Sequence, residues 1–297
     1  MIISVSRRTD IPAFYTDWFL NRIKEGFVDV INPFNPKQAN RISLSKENVE
    51  CFVFWTKNPR PLLDRIDELD GYNYYFQFTL NSYGKDIEPN VPSKAAEVIN
   101  TFIELSKKIG KEKVIWRYDP ILLTDKYTIE YHIKYFEKLA QKLSPYTKKC
   151  VISFLDLYKK TERNMKHIQL EELTVDKMNI IAEGFSQVCK KYDLELATCS
   201  EELDLEKYNI KHNKCIDDEL IERLFKISLG NKKRDNQRSL CGCIKCHDIG
   251  TYNTCLHNCV YCYANFNKEQ SSINYSNNDL NSSIMVGKIS NDVKIYE

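Results

Sequence analysis

The sequence Cys51-Phe52-Val53-Phe54-Trp55-Thr56-Lys57-Asn58-Pro59 is an apolar run that ends abruptly in polar residues and a proline. Aromatic and β-branched residues favour extended backbone, and proline is found where a strand starts or stops rather than inside a sheet. We therefore predict a strand over residues 51–55 and a polar loop directly after it. Comparable runs recur at residues 2–6, 74–79, 113–117, 150–154 and 195–198.

Longer amphipathic stretches alternate with these runs and predict helices. Gly26 and Gly110 are placed to end two of the helices, and Ser93 is placed to cap one. Strands that alternate with helices indicate a parallel sheet. Six such units predict an α/β fold, specifically a (β/α)6 partial TIM-like barrel. The helices are predicted at residues 16–25, 94–109, 128–143 and 175–191.

Polar and charged residues follow each predicted strand, where a parallel barrel gathers its carboxyl-terminal loops at one mouth. Asp, Asn and Thr after a strand also serve as helix caps, and X-Pro pairs also set loop geometry, so each residue alone has this alternative. Arginine and lysine do not cap helix amino termini, so their presence favours a binding site. The candidates are Arg7, Arg8, Asp10, Lys57, Asn58, Asn81, Arg117, Asp119, Asp156 and Glu201.

Three cysteines near the end of the chain, Cys255, Cys259 and Cys262, have the spacing C-x3-C-x2-C. A structural zinc takes four protein ligands, whereas a cubane iron–sulfur cluster held by three thiolates leaves one iron open. The spacing therefore favours a reactive iron–sulfur cluster. A zinc site completed by His257 or by a neighbouring cysteine is the alternative.

These residues resemble the signature of the radical S-adenosylmethionine (radical SAM) enzymes, C-x3-C-x-aromatic-C, with Tyr261 in the aromatic position. The resemblance implies a [4Fe-4S] cluster that binds S-adenosyl-L-methionine (SAM) and cleaves it to a 5′-deoxyadenosyl radical, which abstracts hydrogen from a substrate. It also implies an incomplete (β/α)6 barrel. In those enzymes the cysteine loop follows the first strand, whereas here it follows the sixth unit. We therefore expect the loop to return to the carboxyl ends of the strands.

A narrower resemblance covers nearly the whole chain. Residues 6–12, 54–59 and 116–120, together with the terminal cysteines, resemble an uncharacterised bacterial and archaeal family of unknown function. We also expect an auxiliary [4Fe-4S] cluster, bound by cysteines that precede the signature. The resemblance favours Cys199, Cys215, Cys241 and Cys243 as the ligands of this cluster, with Cys246 as a spare candidate. A four-cysteine zinc site, or no second metal, is the alternative.

The expected cofactor also suggests roles for other residues. Tyr261 and Tyr263 are expected beside the cluster or the adenine. Lys57 and Asn58 are further cofactor-binding candidates. Because arginine binds carboxylates and aspartate accepts from paired hydroxyls, the candidates for the methionyl carboxylate, the ribose and the substrate are Arg7, Asp10, Arg117 and Asp119.

Composition restricts the partners. A formal net charge of +2, with 28% charged residues, provides no overall field for non-specific nucleic-acid binding. No stretch reaches the roughly 18 apolar residues of a membrane span. The apolar run at the amino terminus is too short for a signal peptide. We expect a cytoplasmic protein with no membrane partner, a small-molecule or nucleotide-like substrate, and an electron donor such as flavodoxin or ferredoxin.

Two other functions stay open. The approach to the signature, residues 252–255, resembles the cluster loop of spore photoproduct lyase, a DNA-repair radical SAM enzyme. Alternatively, the cysteines of a non-catalytic, zinc- or iron–sulfur-stabilised binding protein would hold a carboxyl-terminal lid. The substrate is not identified in either case.

The predicted organisation is a barrel core over residues 1–198, a Cys-rich iron–sulfur segment over 199–266, and a polar, partly disordered tail over 267–297. A helix is expected from Cys215 to about Leu229. The isolated thiols are expected to be buried packing residues. These thiols are Cys51, Cys150 and Cys189. We interpret His247 and His257 as exposed loop residues rather than ligands. Gln237 and Arg238, which lie just before Cys241, are candidates to reach cofactor or substrate.

Overall fold

The structure is a computed structural model that describes residues 1–157, 159–235 and 241–297. The strands are β1 Ile2–Val5, β2 Phe27–Asn32, β3 Asn35–Ser43, β4 Cys51–Thr56, β5 Tyr74–Thr79, β6 Val114–Ile121, β7 Lys149–Phe154, β8 Glu195–Thr198, β9 Lys211–His212, β10 His247–Asp248 and β11 Lys294–Tyr296. The helices are α1 Ile11–Phe14, α2 Thr16–Glu25, α3 Arg60–Leu63, α4 Ile99–Ile109, α5 Ile129–Leu143, α6 Lys159–Asn164, α7 Val175–Lys191, α8 Asp218–Phe225 and α9 Lys268–Ser276.

The main sheet has eight strands in the order β10-β1-β4-β5-β6-β7-β8-β9. All of its registered strand pairs are parallel. The α/β prediction is therefore confirmed, and β1, β4, β5, β6, β7 and β8 are the six strands predicted from the sequence. The (β/α)6 partial TIM-like barrel is not confirmed: in the described part of the chain the sheet ends at β10 and β9, and no sheet closes.

The chain divides into two compact units. The first comprises residues 1–75, 246–258 and 262–297, and the second comprises residues 76–245 and 259–261. Strand β5 begins in the first unit and continues in the second. The domain division predicted from the sequence stays a prediction.

In the first unit, β4 lies beside β1, with Ile2 opposite Cys51. A separate sheet in the order β11-β3-β2 belongs to the same unit. The hairpin of β2 and β3 was not predicted, because Pro33 and Pro36 interrupt residues that otherwise have strand composition. The antiparallel ladder tolerates both prolines beside the turn, where the register shifts.

The core of the second unit is aromatic. The ring of Phe136 from α5 stacks on Phe185 from α7 with centroids 3.8 Å apart, and on Trp116 from β6 at 4.9 Å.

The predicted packing role of the isolated thiols is also confirmed, since Cys51, Cys150 and Cys189 are buried.

The ends of the helices follow local chemistry. Gly26 ends α2 in the left-handed conformation with φ of 80°, and the Ser93 hydroxyl accepts from the Ala96 amide at the start of a π-helical turn before α4. The helix expected from Cys215 to Leu229 is shorter than predicted. Asp217 caps its first turn, and Lys226 adopts a left-handed φ of 56° that ends it at Phe225.

The carboxyl-terminal segment 267–297 contains α9 and β11, and Ile284 and Met285 are buried. Among the described residues, no helix is long and apolar enough to cross a membrane.

Candidate cysteine sites

The signature loop starts beside the first strand of its unit. Strand β10 pairs parallel with β1, with Ile3 opposite His247 and Ser4 opposite Asp248. The chain therefore leaves β10 at the same carboxyl edge as the loop that follows β1. This pairing explains how a loop near the end of the sequence reaches the position expected for a loop after strand one.

Asp248 holds that edge together. Its carboxylate accepts hydrogen bonds from the Ser4 hydroxyl at 2.9 Å, the Ser6 hydroxyl at 2.5 Å and the Arg7 backbone N–H at 2.8 Å. A Cβ added at Gly250 would lie 2.0 Å from the Ser6 oxygen, so only glycine fits this close approach. The carboxylate thus aligns the loop after β1 with the chain that leads into the signature.

His257, inside the signature, is buried with 2% of its surface exposed. The prediction that it is an exposed loop residue is wrong. Its Nε2 lies 2.9 Å from Asp10 Oδ2, and Asp10 also accepts the Lys57 backbone N–H at 2.7 Å and the Ala13 N–H at 3.0 Å. The second ring nitrogen, Nδ1, is buried and has no hydrogen-bond partner among the described residues. Asp10 therefore joins the signature to the loops after β1 and β4.

The ends of the signature loop are tied together. The Asn253 N–H donates to the Ala264 carbonyl at 2.9 Å, and the Asn253 side chain accepts the Phe266 N–H at 2.9 Å. The Asn265 amide donates to the Cys255 carbonyl. These bonds close a tight loop around the cysteines that belong to this unit.

Cys255 and Cys262 are partly exposed and belong to the first unit. Burial raises the pKa of Cys262, while the Ala264 and Asn265 N–H groups and the Lys57 ammonium oppose that rise. Backbone N–H groups and a cation near sulfur stabilise the thiolate, which is the form that binds metals.

Cys259, Val260 and Tyr261 belong to the second unit. The Val260 N–H donates to the Ile87 carbonyl at 3.0 Å. The Tyr261 hydroxyl donates to Glu88, whose side chain is buried and forms an ion pair with Lys94. Burial, followed by the charge of Glu88, raises the pKa of Tyr261, so the signature aromatic residue is an uncharged phenol.

A second group of four thiols lies entirely within the second unit. The Cys199 and Cys215 sulfurs are 3.2 Å apart, and Cys243 accepts the backbone N–H groups of Cys215 and Ile216 at 3.2 and 3.3 Å. Cys241 and Cys243 hydrogen-bond through their side chains, which lowers the pKa of Cys241 to about 6. The structure therefore connects the four cysteines favoured as auxiliary ligands.

Cys246, the spare candidate, belongs to the first unit, where its sulfur lies 3.4 Å from Arg7 Nη2. The Tyr263 hydroxyl donates to the Arg7 carbonyl at 2.7 Å in the same unit. Arg7 and Tyr263, two of the predicted cofactor residues, are thus neighbours. Arg8 lies over the Tyr252 ring, 5.1 Å from its centroid.

Arg117 is buried in the second unit with 4% exposure. Its Nη1 lies 2.9 Å from the Cys215 sulfur, and its Nη2 pairs with Asp119. The Asp119 carbonyl accepts from the Asn81 side-chain amide at 2.9 Å. Arg117 and Asp119, predicted as catalytic residues, therefore lie together beside the four thiols.

The remaining predicted residues have varied surroundings. Glu201 accepts the Phe154 N–H at 2.9 Å, Asn58 is buried after β4, and Asp156 is exposed. Gln237 and Arg238 lie outside the described residues. Within residues 1–157, 159–235 and 241–297, no group of three or more His, Cys, Asp or Glu side chains is already arranged around one metal position.

Sequence reasoning missed two polar residues that organise these sites, Glu88 and Asp248, and it misjudged the burial of a third, His257. Asp248 sits in a two-residue strand too short for a periodic signal, and Glu88 lies in a loop rich in proline and asparagine. The position of His257 between two signature cysteines was the one available signal.

The parallel main sheet and its helices place the chain in the general class of α/β proteins, with several cysteines in the loops. The family model described as a domain of unknown function (DUF1848) matches residues 2–264, and the chain belongs to this family. No curated protein matches the chain. A structure described as an alpha-L-fucosidase of Bacteroides thetaiotaomicron VPI-5482 is similar at 11% identity, covering 54% of this chain and 67% of that chain, with a TM-score of 0.28.

Proposed function

We propose that this protein is a radical SAM enzyme that acts on a substrate still to be identified, and that its sheet serves as the partial barrel of such an enzyme. The observation that carries the proposal is the complete signature spacing of Cys255, Cys259 and Cys262, with Tyr261 in the aromatic position. Three ligands suit a cluster with one open iron better than a structural zinc.

The surroundings of the signature fit such a cluster. Cys262 receives backbone N–H groups from Ala264 and Asn265, the kind of hydrogen bond that tunes iron–sulfur centres. The buried Nδ1 of His257, within the signature, has no hydrogen-bond partner in the part of the chain that the structure describes. Cys255, Cys259 and Cys262 would hold the cluster, and when SAM is bound the cluster would supply a 5′-deoxyadenosyl radical.

The residues of the chain would orient the cofactor. Asp10 fixes the His257 ring and the Lys57 backbone through one carboxylate oxygen. Lys57 lies near enough to Cys262 for its charge to oppose the rise that burial causes in the pKa of that thiol, and it supplies positive charge beside the signature. The loops after β1 and β4 would therefore form one wall of the cofactor site, with Arg7 and Asn58 as further members.

Anaerobic purification and reconstitution with iron and sulfide, followed by reduction in the presence of SAM, tests the proposal. We expect a brown protein that produces 5′-deoxyadenosine, and Cys259→Ala should abolish that product while circular dichroism shows a folded protein. Cys51→Ala, which removes a buried packing thiol, is the matched control and should retain the activity. A colourless zinc protein without 5′-deoxyadenosine would instead support a metal-stabilised binding protein.

A further inference from the structure

Two of the four thiols of the second unit, Cys215 and Cys243, accept hydrogen bonds from N–H donors. Cys243 accepts two backbone N–H groups, and Cys215 accepts the Asn213 side-chain amide at 3.4 Å as well as Arg117 Nη1 at 2.9 Å. Thiolates that bind metals accept such N–H groups, and these outer contacts set metal affinity. The donors around these sulfurs match that pattern.

The charge at this site is also informative. Four thiolates around a divalent ion carry a net charge of about −2, and burying that charge is costly without a nearby cation. Arg117 is the buried cation in contact with Cys215, and Gln77 supports it by accepting from Nη1 at 3.4 Å and donating to the Cys215 carbonyl at 2.9 Å. Gln77 thus holds the guanidinium against the thiol.

The distance between the sulfurs distinguishes a site for a single metal ion from a site for an iron–sulfur cluster. Tetrahedral coordination with metal–sulfur bonds of about 2.3 Å places sulfurs roughly 3.8 Å apart, whereas the thiolates around a cubane cluster are much farther apart. The Cys199 and Cys215 sulfurs are 3.2 Å apart. This pair shares a hydrogen bond, and its sulfurs need to move less to bind a single ion than to bind a cubane cluster.

We propose that Cys199, Cys215, Cys241 and Cys243 bind one divalent metal ion of the zinc type, and that Arg117 is a positioning residue that stabilises this centre through Cys215. Arg117 then serves the metal centre and does not bind an anionic substrate. Asp119 competes with the thiolate for the guanidinium, because it occupies the Nη2 side. The inference is independent of SAM cleavage.

Cobalt(II) titration of the full-length, metal-free protein tests the inference, because thiolate-to-cobalt charge-transfer absorption reports coordination by sulfur. We expect one cobalt per chain with four-thiolate tetrahedral bands. The other thiols of the metal region are removed first, so that the titration reports only the proposed site; the background carries Cys246→Ala, Cys255→Ala, Cys259→Ala and Cys262→Ala.

In this background, Arg117→Gln should weaken cobalt binding by about 10- to 100-fold, the usual effect of removing an outer hydrogen-bond partner of a ligand. Asp119→Asn should leave the affinity unchanged or increase it, because the guanidinium then interacts with sulfur alone. Arg223→Gln is the matched control, since this exposed arginine pairs with Glu112; its affinity should not change.

Arg117→Gln leaves Asp119 without its cation, so the single variant risks misfolding. Arg117→Gln combined with Asp119→Asn removes the ion pair symmetrically, and it should bind cobalt as weakly as Arg117→Gln while remaining folded. Equal weakening by Asp119→Asn and Arg117→Gln would mean that the ion pair acts only structurally and would overturn the role of Arg117. Absence of thiolate-to-cobalt bands would overturn the metal site, and neither result bears on 5′-deoxyadenosine formation.

Discussion

Acid should destabilise this protein through one buried histidine. His132 is fully buried, its Nε2 donates to the Leu122 carbonyl at 2.8 Å, and its Nδ1 accepts from the Tyr118 hydroxyl at 2.8 Å. The neutral ring with its proton on Nε2 therefore satisfies both nitrogens without placing a charge in the core. Burial lowers the pKa of His132 to about 4, although the bond to Leu122 opposes that change.

The sign of the effect follows from proton linkage. The unfolded chain, with an ordinary histidine pKa near 6.5, binds more protons than the folded chain as the pH falls below that value. Stability from the neutral ring is present above pH 6.5 and is lost as the pH falls towards 4. The shift from about 6.5 to about 4 corresponds to a loss of roughly 3 kcal/mol in total, of which about 2 kcal/mol is lost between pH 7 and pH 5.

Urea denaturation at pH 7 and pH 5 measures this loss, with His132→Gln as the comparison. Glutamine retains one donor and one acceptor but does not titrate, so the variant should lose about 2 kcal/mol less than the wild type between these pH values. His212, which is exposed on β9, provides the matched control as His212→Gln. A His132 ring that titrates near pH 6.5 by NMR, or equal pH dependence in wild type and His132→Gln, would refute the reasoning.

The other predictions concern the polar anchors of the signature. Tyr261→Phe removes a hydrogen bond to the buried Glu88 and should lower the free energy of unfolding by about 1.5–3 kcal/mol in urea, whereas Tyr135→Phe on α5 should change it by less than about 0.5 kcal/mol; equal effects would contradict the anchor. Lys94→Met should lower the free energy of unfolding by more, about 3–5 kcal/mol, because it leaves the Glu88 carboxylate buried without its cation. A smaller loss for Lys94→Met than for Tyr261→Phe would contradict this explanation. Gly250→Ala should lower the free energy of unfolding by about 1–3 kcal/mol, because the added Cβ overlaps Ser6. Adding Ser6→Gly in a double variant should restore part of that loss. A double variant as unstable as Gly250→Ala would show that the strain lies elsewhere.

The regular part of the fold was predictable because it depends on local composition. The six central strands and the helices α2, α4, α5 and α7 have clear periodicity, and their ends carry capping residues such as Ser93 and Gly26. The signature cysteines could also be singled out from the sequence, because their spacing is a local property of the chain.

The surroundings of the sites were not predictable from the sequence, because they depend on contacts between distant segments. Asp10 meets His257 across 247 positions of the chain, and Arg117 meets Cys215 across 98. No local pattern shows whether an arginine after a strand faces a substrate or a thiol. In this protein the cysteine spacing determined the expected cofactor, whereas the pairing of β10 with β1 decided where the signature starts, because parallel strands in one sheet open their loops at the same edge.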